Sequence, residues 1–555
     1  MDPRLLKPVD NIMPRFNKVI TDGFHQKEFE NAVHFYDHCL RMIFKSIERR
    51  GVFFRGVSRV SPREYMEYLN KPTQPRVCEI HKETLYPVKL QFDYQDRSGK
   101  INPLPPTYTM LPYCDVYGDL FLRNTQYSAQ IVMAERGLPV TKEEAIFVKV
   151  LGFKFKIGIE HFKYDRIFNE TRNSVSRTQD INLPANRFYS PSEARKIKDP
   201  KTPIPLLAWY TFADMGFSKA MDLYGECEYE IGSPEVLADE CPADQRWEII
   251  TRSRSPNHKR LGEFIPHDLA IAVRNKSDRR KELSIMGLQY ACALLYVIDC
   301  MSSYFDIESV DNPDYWKLLI GRCSVKPGDS NDYIMRLMYE HFDSMNNDYL
   351  DEDTIKKFAS QSIVVSNMFD LFNYIIANRS EIVQTSDRAS GFHKEIASLE
   401  FVLDRLITAA NQFKHDIKNN TELSQNKVTR FLTSNFKLKE IDNARTANLI
   451  QEATPTDNPF VDYMLGTMPQ HKVYTSGVKG QGKKEFDTSD SAGFTHPSIP
   501  FVYSYQRVTK PAPDARGYLN PCIYLINDKV TALNPKDRDL YEATDKRLKF
   551  REPTK

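Results

Sequence analysis

This 555-residue chain has no apolar stretch at its start: Met1-Asp-Pro-Arg-Leu-Leu-Lys lacks a signal-like core, which argues against secretion. The most apolar run, Ile285 to Phe305, is interrupted by Gln289, Asp299 and Ser302 and reads as a buried helix, not a membrane span. The nine cysteines include no Cys-x-x-Cys. Scattered and odd in number, they read as reduced thiols in a cytosolic setting and exclude a disulfide framework. Neither sign of charge is in excess, with 76 Lys and Arg against 74 Asp and Glu, so affinity for a polyanion has to come from local patches. Internal repeats and low-complexity tracts are absent, as are a Gly-x-Ser-x-Gly elbow, a His-Glu-x-x-His pair and a Cys/His zinc framework. What remains is a globular chain too long for one core, with two to four domains expected.

Periodicity supplies the first positive signals. Phe29, Val33, Tyr36, Leu40 and Ile43 recur at helical spacing across Gln26 to Arg50, and Gly51 is a stop. Val88, Leu90 and Phe92 alternate as in a strand, and strands are also expected at Leu120 to Leu122 and through Ala145 to Ile159, where Phe153, Phe155 and Ile157 alternate with lysines. Asn169 to Lys201 is polar and basic and reads as a boundary or crossing segment. Helices are expected at Pro203 to Tyr224, Met286 to Phe305, Asp332 to His341, Asp353 to Asn378 and Lys394 to Asn420. A polar stretch, a segment at 443–454 and a loop-rich tail follow.

Several constellations invite chemistry. Gly477-Val-Lys-Gly-Gln-Gly482-Lys483-Lys484 has the Gly-x4-Gly-Lys spacing of a phosphate-binding loop behind a strand at Lys472 to Thr475. Lys484 occupies the position that needs a magnesium-binding hydroxyl, and no apolar helix follows to offer its N-terminus. The segment reads instead as a mobile basic loop in which Lys479, Lys483 and Lys484 reach phosphates. A second basic patch covers Arg252 to Lys281; Arg252, Arg254, Lys259 and Arg260 flank Ser-Pro-Asn, and Arg274, Lys276, Arg279, Arg280 and Lys281 cluster again. Such a patch suits either a phosphodiester backbone or a partner protein. His34 and His38 share a helix face but lack a third metal ligand. The acidic group at Asp343, Asn346, Asp348, Asp351 and Asp353 lacks the glycine and final Glu of a calcium loop and reads as a solvated turn. The tail holds a rigid polar loop, Lys510-Pro-Ala-Pro-Asp-Ala-Arg-Gly-Tyr-Leu-Asn-Pro521, ahead of the apolar Cys522-Ile-Tyr-Leu-Ile526. Loops of this kind on strands carry chemistry or grip partners. The chain stops shortly afterwards, which implies that another polypeptide completes a site placed there.

Three stretches, in order, resemble the N-terminal half of the β subunit of multisubunit DNA-dependent RNA polymerases. Leu111-Pro112 and Gly118-Asp-Leu-Phe-Leu-Arg-Asn124-Thr-Gln126 resemble the family's Pro and Gly-Thr-Phe-Ile-Ile-Asn-Gly-Thr-Glu-Arg. Asn124 stands for its glycine, as a residue tolerant of a left-handed turn, and Tyr127 stands for its arginine. Lys201-Thr-Pro203 through Ala213-Asp-Met-Gly216-Phe to Tyr224 looks like its Lys-Leu-Pro, helix, Ala-Leu-Gly-Tyr, helix. His496-Pro497-Ser498, Pro513-Asp514, Gly517 and Asn520 resemble its His-Pro-Ser and Pro-Glu-Gly-Pro-Asn.

The resemblance, as to the split β subunits of large bacteriophages, implies a multidomain α+β fold in a protrusion, lobe and fork arrangement. Residues 1–165 and 356–440 would form the protrusion, 166–355 a helix-rich lobe and 441–555 a loop-rich fork. It further implies that Arg507, Lys510, Arg516 and Asn520 lie near nucleic acid. This chain would hold no catalytic residue, metal or cofactor of its own, magnesium being bound by carboxylates of a β′-like partner. Expected partners are the C-terminal β-like half, β′-like chains, DNA template and RNA product, with no membrane. The location is the cytoplasm of an infected host, or a virion if the protein is packaged. The rival readings are a non-enzymatic phage structural or scaffold protein, and a free-standing nucleotide-binding enzyme built on Gly477 to Lys484.

Overall fold

The computed structural model describes residues 30–69 and 83–114, most of 119–186, 204–252 and 269–277, most of 282–385, 394–396 and 403–436 except 421, and short strands between 450 and 531. The fold is mixed α+β and divides into two compact units. One joins residues 1–136 to 387–555, and the other comprises 137–386, so the second is inserted into the first. Residue 165 falls within a strand and residue 355 within a helix of the inserted unit.

The first unit opens with α1 (Ala32–Phe44), which buries Tyr36, Leu40 and Ile43 as their spacing requires. A 3₁₀ turn, Lys45–Arg50, ends at Gly51 in the left-handed conformation, φ 74°. β1 (Val52–Arg59), α2 (Pro62–Leu69), β2 (Leu85–Gln95), β3 (Ile101–Pro103) and β4 (Thr107–Pro112) follow. β1 pairs with one edge of β2, and β3 and β4 share the other. Val88, Leu90 and Phe92 of β2 face the core. β5 (Asp119–Leu122) and β6 (Thr125–Ala129) form a tight hairpin with Leu122 opposite Thr125. Asn124 in its turn has φ 66°, the left-handed geometry anticipated for a residue standing in place of glycine. β7 (Ile131–Glu135) leads towards the inserted unit.

The inserted unit begins with β8 (Ile146–Lys149), β9 (Lys154–Glu170) and β10 (Asn173–Asn186). The polar stretch after Asn169 is therefore no crossing segment. Its first half, β10, pairs with β9 from Asn173↔Glu170 to Asn186↔Ile157. Next come α3 (Leu207–Met215), α4 (Phe217–Ala220), β11 (Cys227–Gly232), α5 (Pro234–Glu240), β12 (Glu248–Arg252) and β13 (Ala270–Asn275). The sheet order is β10-β9-β12-β13-β11, with β8 beside β9.

Gly216, between α3 and α4, has φ 88°, and a Cβ there would lie 2.6 Å from the Asp311 carbonyl oxygen. Only glycine accommodates both the angle and the approach. α6 (Ile285–Met301) is buried on nearly all sides, the expected buried helix. α7 (Pro313–Ser324), α8 (Asn331–Asn347), α9 (Glu352–Ala359) and α10 (Met368–Thr385) complete the unit. The single helix expected over Asp353 to Asn378 is two helices, broken where Ser362 takes φ 65°. Asp351 caps α9 by accepting from the Thr354 amide at 2.8 Å, so that part of the acidic group serves as a helix cap.

Three helices of this unit are fastened by one polar side chain: the Asn373 Oδ1 of α10 accepts from the Thr211 hydroxyl of α3 at 2.7 Å and from the Tyr290 hydroxyl of α6 at 2.8 Å. All three residues are buried.

The chain then returns to the first unit. Lys394–Ile396, expected to open a helix, is strand β14, paired with β7. α11 (Asp404–Asn419) and α12 (Gln425–Asn435) follow. α12 falls where a polar stretch is expected; Val428, Leu432 and Phe436, four residues apart, are its buried side. Phe413 of α11 lies 5.6 Å from Phe44 and 5.4 Å from Phe92 between ring centroids. Phe54 packs on the same two rings. β15 (Ile450–Glu452) extends the β5–β6 hairpin, and β16 (Gln470–Tyr474), β17 (Arg516–Tyr518), β18 (Tyr524–Ile526) and β19 (Lys529–Thr531) complete a six-stranded sheet with β7 and β14.

Two stability tests follow from this packing. Phe413→Ala should destabilise the first unit by about 3–5 kcal/mol, read by denaturant titration. His341 is half-buried beside Tyr349, its Nδ1 3.0 Å from that hydroxyl, and desolvation of its ring lowers its pKa from 6.5 to about 4. The neutral ring's contribution is complete above pH 6.5 and is lost as pH falls through 4, up to about 3 kcal/mol. His341→Gln should flatten stability across that window, measured by melts at graded pH.

Candidate nucleic-acid interface

The six-stranded sheet of the first unit has the order β17-β16-β7-β14-β19-β18. β16 runs parallel to β7 and antiparallel to β17. Residues 475–515 thus leave the sheet at β16 and re-enter it on the adjacent strand. Lys479, Lys483, Lys484, Arg507 and Lys510 all belong to that excursion. They lie outside the described residues, as does Asn520, but the two ends of the segment that carries the first five are pinned side by side. The strand expected just ahead of the glycine-lysine segment is β16.

β17 and β18 stand at opposite edges of the sheet, joined through residues 519–523. Six flat strands would place those edges about 24 Å apart, whereas so short a link reaches about 21 Å at full extension. The sheet must therefore curl, as twisted sheets readily do.

Register places two cationic residues directly opposite each other where the excursion begins and ends: Lys472 of β16 pairs with Arg516 of β17. Like charges at directly opposed positions destabilise a sheet. An anion shared between the two positions removes that cost, and a phosphodiester is such an anion. Arg516 is a candidate from sequence; Lys472 is not, because its significance lies in its register partner 44 positions away.

The second basic patch has a similar origin. β12 and β13 are antiparallel neighbours, with Thr251 opposite Ala270, so Arg254, Lys259 and Arg260 belong to an excursion between two paired strands. Those three lie outside the described residues, as do Arg279, Arg280 and Lys281. The described cations are engaged within the protein. The Arg252 Nη1 meets the Asp299 carboxylate at 2.9 Å. The Arg274 Nε donates to Glu228 at 3.0 Å, and its guanidinium stacks 4.6 Å from the centre of the Trp247 ring. Lys276 pairs with Asp222. The part of this patch at the sheet is thus neutralised by carboxylates from elsewhere in the chain.

Among the described residues, no group of three or more His, Cys, Asp or Glu is placed to hold a metal ion. His34 is exposed on α1, and His38 lies one turn further along. Seven cysteines are described, all as free thiols and mostly buried. Burial pushes the thiols of Cys292 and Cys300 far up and that of Cys323 up to about 12, where they are poor nucleophiles.

The opposed cations give a direct test. Lys472→Glu places opposite charges at the two opposed register positions and should raise stability by about 0.2–1 kcal/mol. The same change should lower the slope of log DNA affinity against log salt by roughly one for each phosphate that the variant no longer neutralises. Thermal melts and fluorescence anisotropy across a salt series read the two effects.

The sequence model of a family described as "Non-virion RNA polymerase subunit" matches residues 11–457. That span includes the inserted unit, α11 and α12, and ends before β16. A search of curated proteins finds no match.

Proposed function

The chain belongs to the non-virion RNA polymerase subunit family, and from that premise we propose that it forms the N-terminal, β-like half of a split β subunit in a phage multisubunit DNA-directed RNA polymerase. In this reading the chain holds DNA template and RNA product through phosphate contacts and shapes the cleft. The magnesium-binding carboxylates and the C-terminal β-like half come from partner chains. The match across residues 11–457 and the order of the three polymerase-like stretches support the subunit assignment.

The observation that carries the nucleic-acid role is the Lys472–Arg516 register pair at the root of the 475–515 excursion. Two cationic residues at opposed register positions, with a glycine-rich lysine segment in the sequence between their strands, suit a backbone of repeating negative charge. The sheet-proximal part of the other patch, neutralised by Asp299, Glu228 and Asp222, suits that role less well. Its excursion, with Arg254, Lys259 and Arg260, is a secondary contact in this reading.

A family described as non-virion favours action in the infected cell over packaging in the particle. No helix among the described residues is long and apolar enough to cross a membrane.

Reconstitution of the complete polymerase with a Lys483→Ala/Lys484→Ala variant tests this reading against a scaffold role. The variant should assemble in full amount yet transcribe more slowly, with template binding about three- to tenfold weaker at moderate salt. Unchanged transcription and unchanged template affinity would instead support a structural role. RNA synthesis by the isolated chain would contradict the placement of the metal site on a partner.

A further inference from the structure

The inserted unit carries three exposed tyrosines and an exposed isoleucine, on and beside two packed helices, that the nucleic-acid reading does not use. Tyr304, Ile307, Tyr333 and Tyr339 are 45%, 41%, 42% and 48% exposed. Tyr333 and Tyr339 sit on α8, and Tyr304 and Ile307 in the segment before α7. Gly321 of α7 allows the two helices to approach closely, since a Cβ there would run into Ile334 and lie 3.0 Å from the Met338 Cγ.

The rings are held in place before any partner arrives. The Arg322 guanidinium lies 4.4 Å from the centre of the Tyr304 ring and donates to the Asn331 side chain at 2.7 Å. Arg336 lies 5.4 Å from the Tyr333 ring. The Tyr339 hydroxyl donates to Asp314 at 2.6 Å, and Lys317, itself bound to Asp314 at 2.9 Å, sits 4.9 Å from the Tyr339 ring. Ordered tyrosines offer large contact area at small entropic cost, and Tyr and Arg are enriched at protein interfaces.

Charge selects the occupant. Residues 302–353 hold twelve Asp and Glu against four Lys and Arg, in a chain whose totals are 74 and 76. Asp329, Asp332, Glu340 and Glu352 are exposed around the tyrosines. Three of the four cations, Lys317, Arg322 and Arg336, already cover the rings. Such a face repels a polyanion and attracts a basic surface.

We propose that the face formed by Tyr304, Ile307, Tyr333 and Tyr339 docks a Lys/Arg-rich segment of a partner polymerase subunit, and that nucleic acid does not pass over it. This rests on the reading of the chain as one part of an assembly. The ammonium or guanidinium groups of the partner meet Asp332 and Glu340 while its aliphatic stems lie on the tyrosine rings.

The test places p-benzoylphenylalanine at position 333 in the full chain, within the complete polymerase bound to labelled template. Irradiation should join position 333 to another protein chain, at a peptide rich in Lys and Arg. Glu340→Lys should cut that adduct at least tenfold at low salt without changing the melting temperature of the isolated chain. Raising the salt should weaken the adduct formed by the unsubstituted chain. An adduct with template or transcript, an adduct with a non-basic peptide, no adduct at all, or indifference to Glu340→Lys would overturn the proposal. If transcription still depends on Lys483 and Lys484, such a result leaves the polymerase reading in place. A chain that never enters the polymerase overturns both.

Discussion

The first unit depends on one aromatic contact made across a long detour in the chain. Phe44, Phe54 and Phe92 come from the first hundred residues, and Phe413 closes them after the whole inserted unit has been traversed. Phe44, Phe92 and Phe413 are at most 2% exposed, so each contributes on the order of 2–3 kcal/mol of burial. Without that closure α11 has no face to bury, and the Tyr94 hydroxyl loses the Leu423 carbonyl that accepts from it at 2.9 Å. The same return of the chain brings β14 to β7 and so lays the centre of the six-stranded sheet, onto which β16 and β17 add. The candidate interface thus rests on a core assembled from residues hundreds of positions apart.

Charge is distributed by the same logic. The near-neutral total conceals three different uses. At β12 and β13, cations are matched by carboxylates from other elements. On α7 and α8, acids outnumber cations, and the cations cover tyrosines. At β16 and β17, two cationic residues stand opposite each other in register. For a polymerase subunit, the last arrangement suits a nucleic-acid backbone and the second suits a protein. Segments that leave and re-enter a sheet on adjacent strands have their two ends set by that sheet.

Much of the regular structure is legible in the sequence, and the failures have physical causes. α1 buries Tyr36, Leu40 and Ile43 and β2 buries Val88, Leu90 and Phe92, as their spacing indicates; α6 is the buried helix expected of its apolar run, and Asn124 takes the left-handed turn expected of it. β10 escapes a sequence reading because it is an edge strand: Ile181, Leu183, Pro184, Ala185 and Asn186 are buried near its end, but the polar Arg177, Thr178 and Asp180 ahead of them are exposed, so it reads like a loop. α12 escapes it because three apolar residues, Val428, Leu432 and Phe436, are its whole buried side; the capping Ser424 ahead of them is the available signal. The break between α9 and α10 depends on a left-handed Ser362, a residue with no strong local preference for that conformation. For the interface, sequence alone identifies the cation-bearing segments. It does not identify Lys472, or the acids that neutralise Arg252, Arg274 and Lys276, because register and ion pairing are set by long-range strand order.

The most direct measurement is photochemical mapping from the nucleic acid side. A transcription complex assembled on template carrying 4-thiothymidine, halted at successive positions and irradiated, should label this chain within residues 470–531, with adducts at 475–515 dominant and residues 302–353 unlabelled. Adducts confined to partner chains, or centred on the α7–α8 face, would contradict the account.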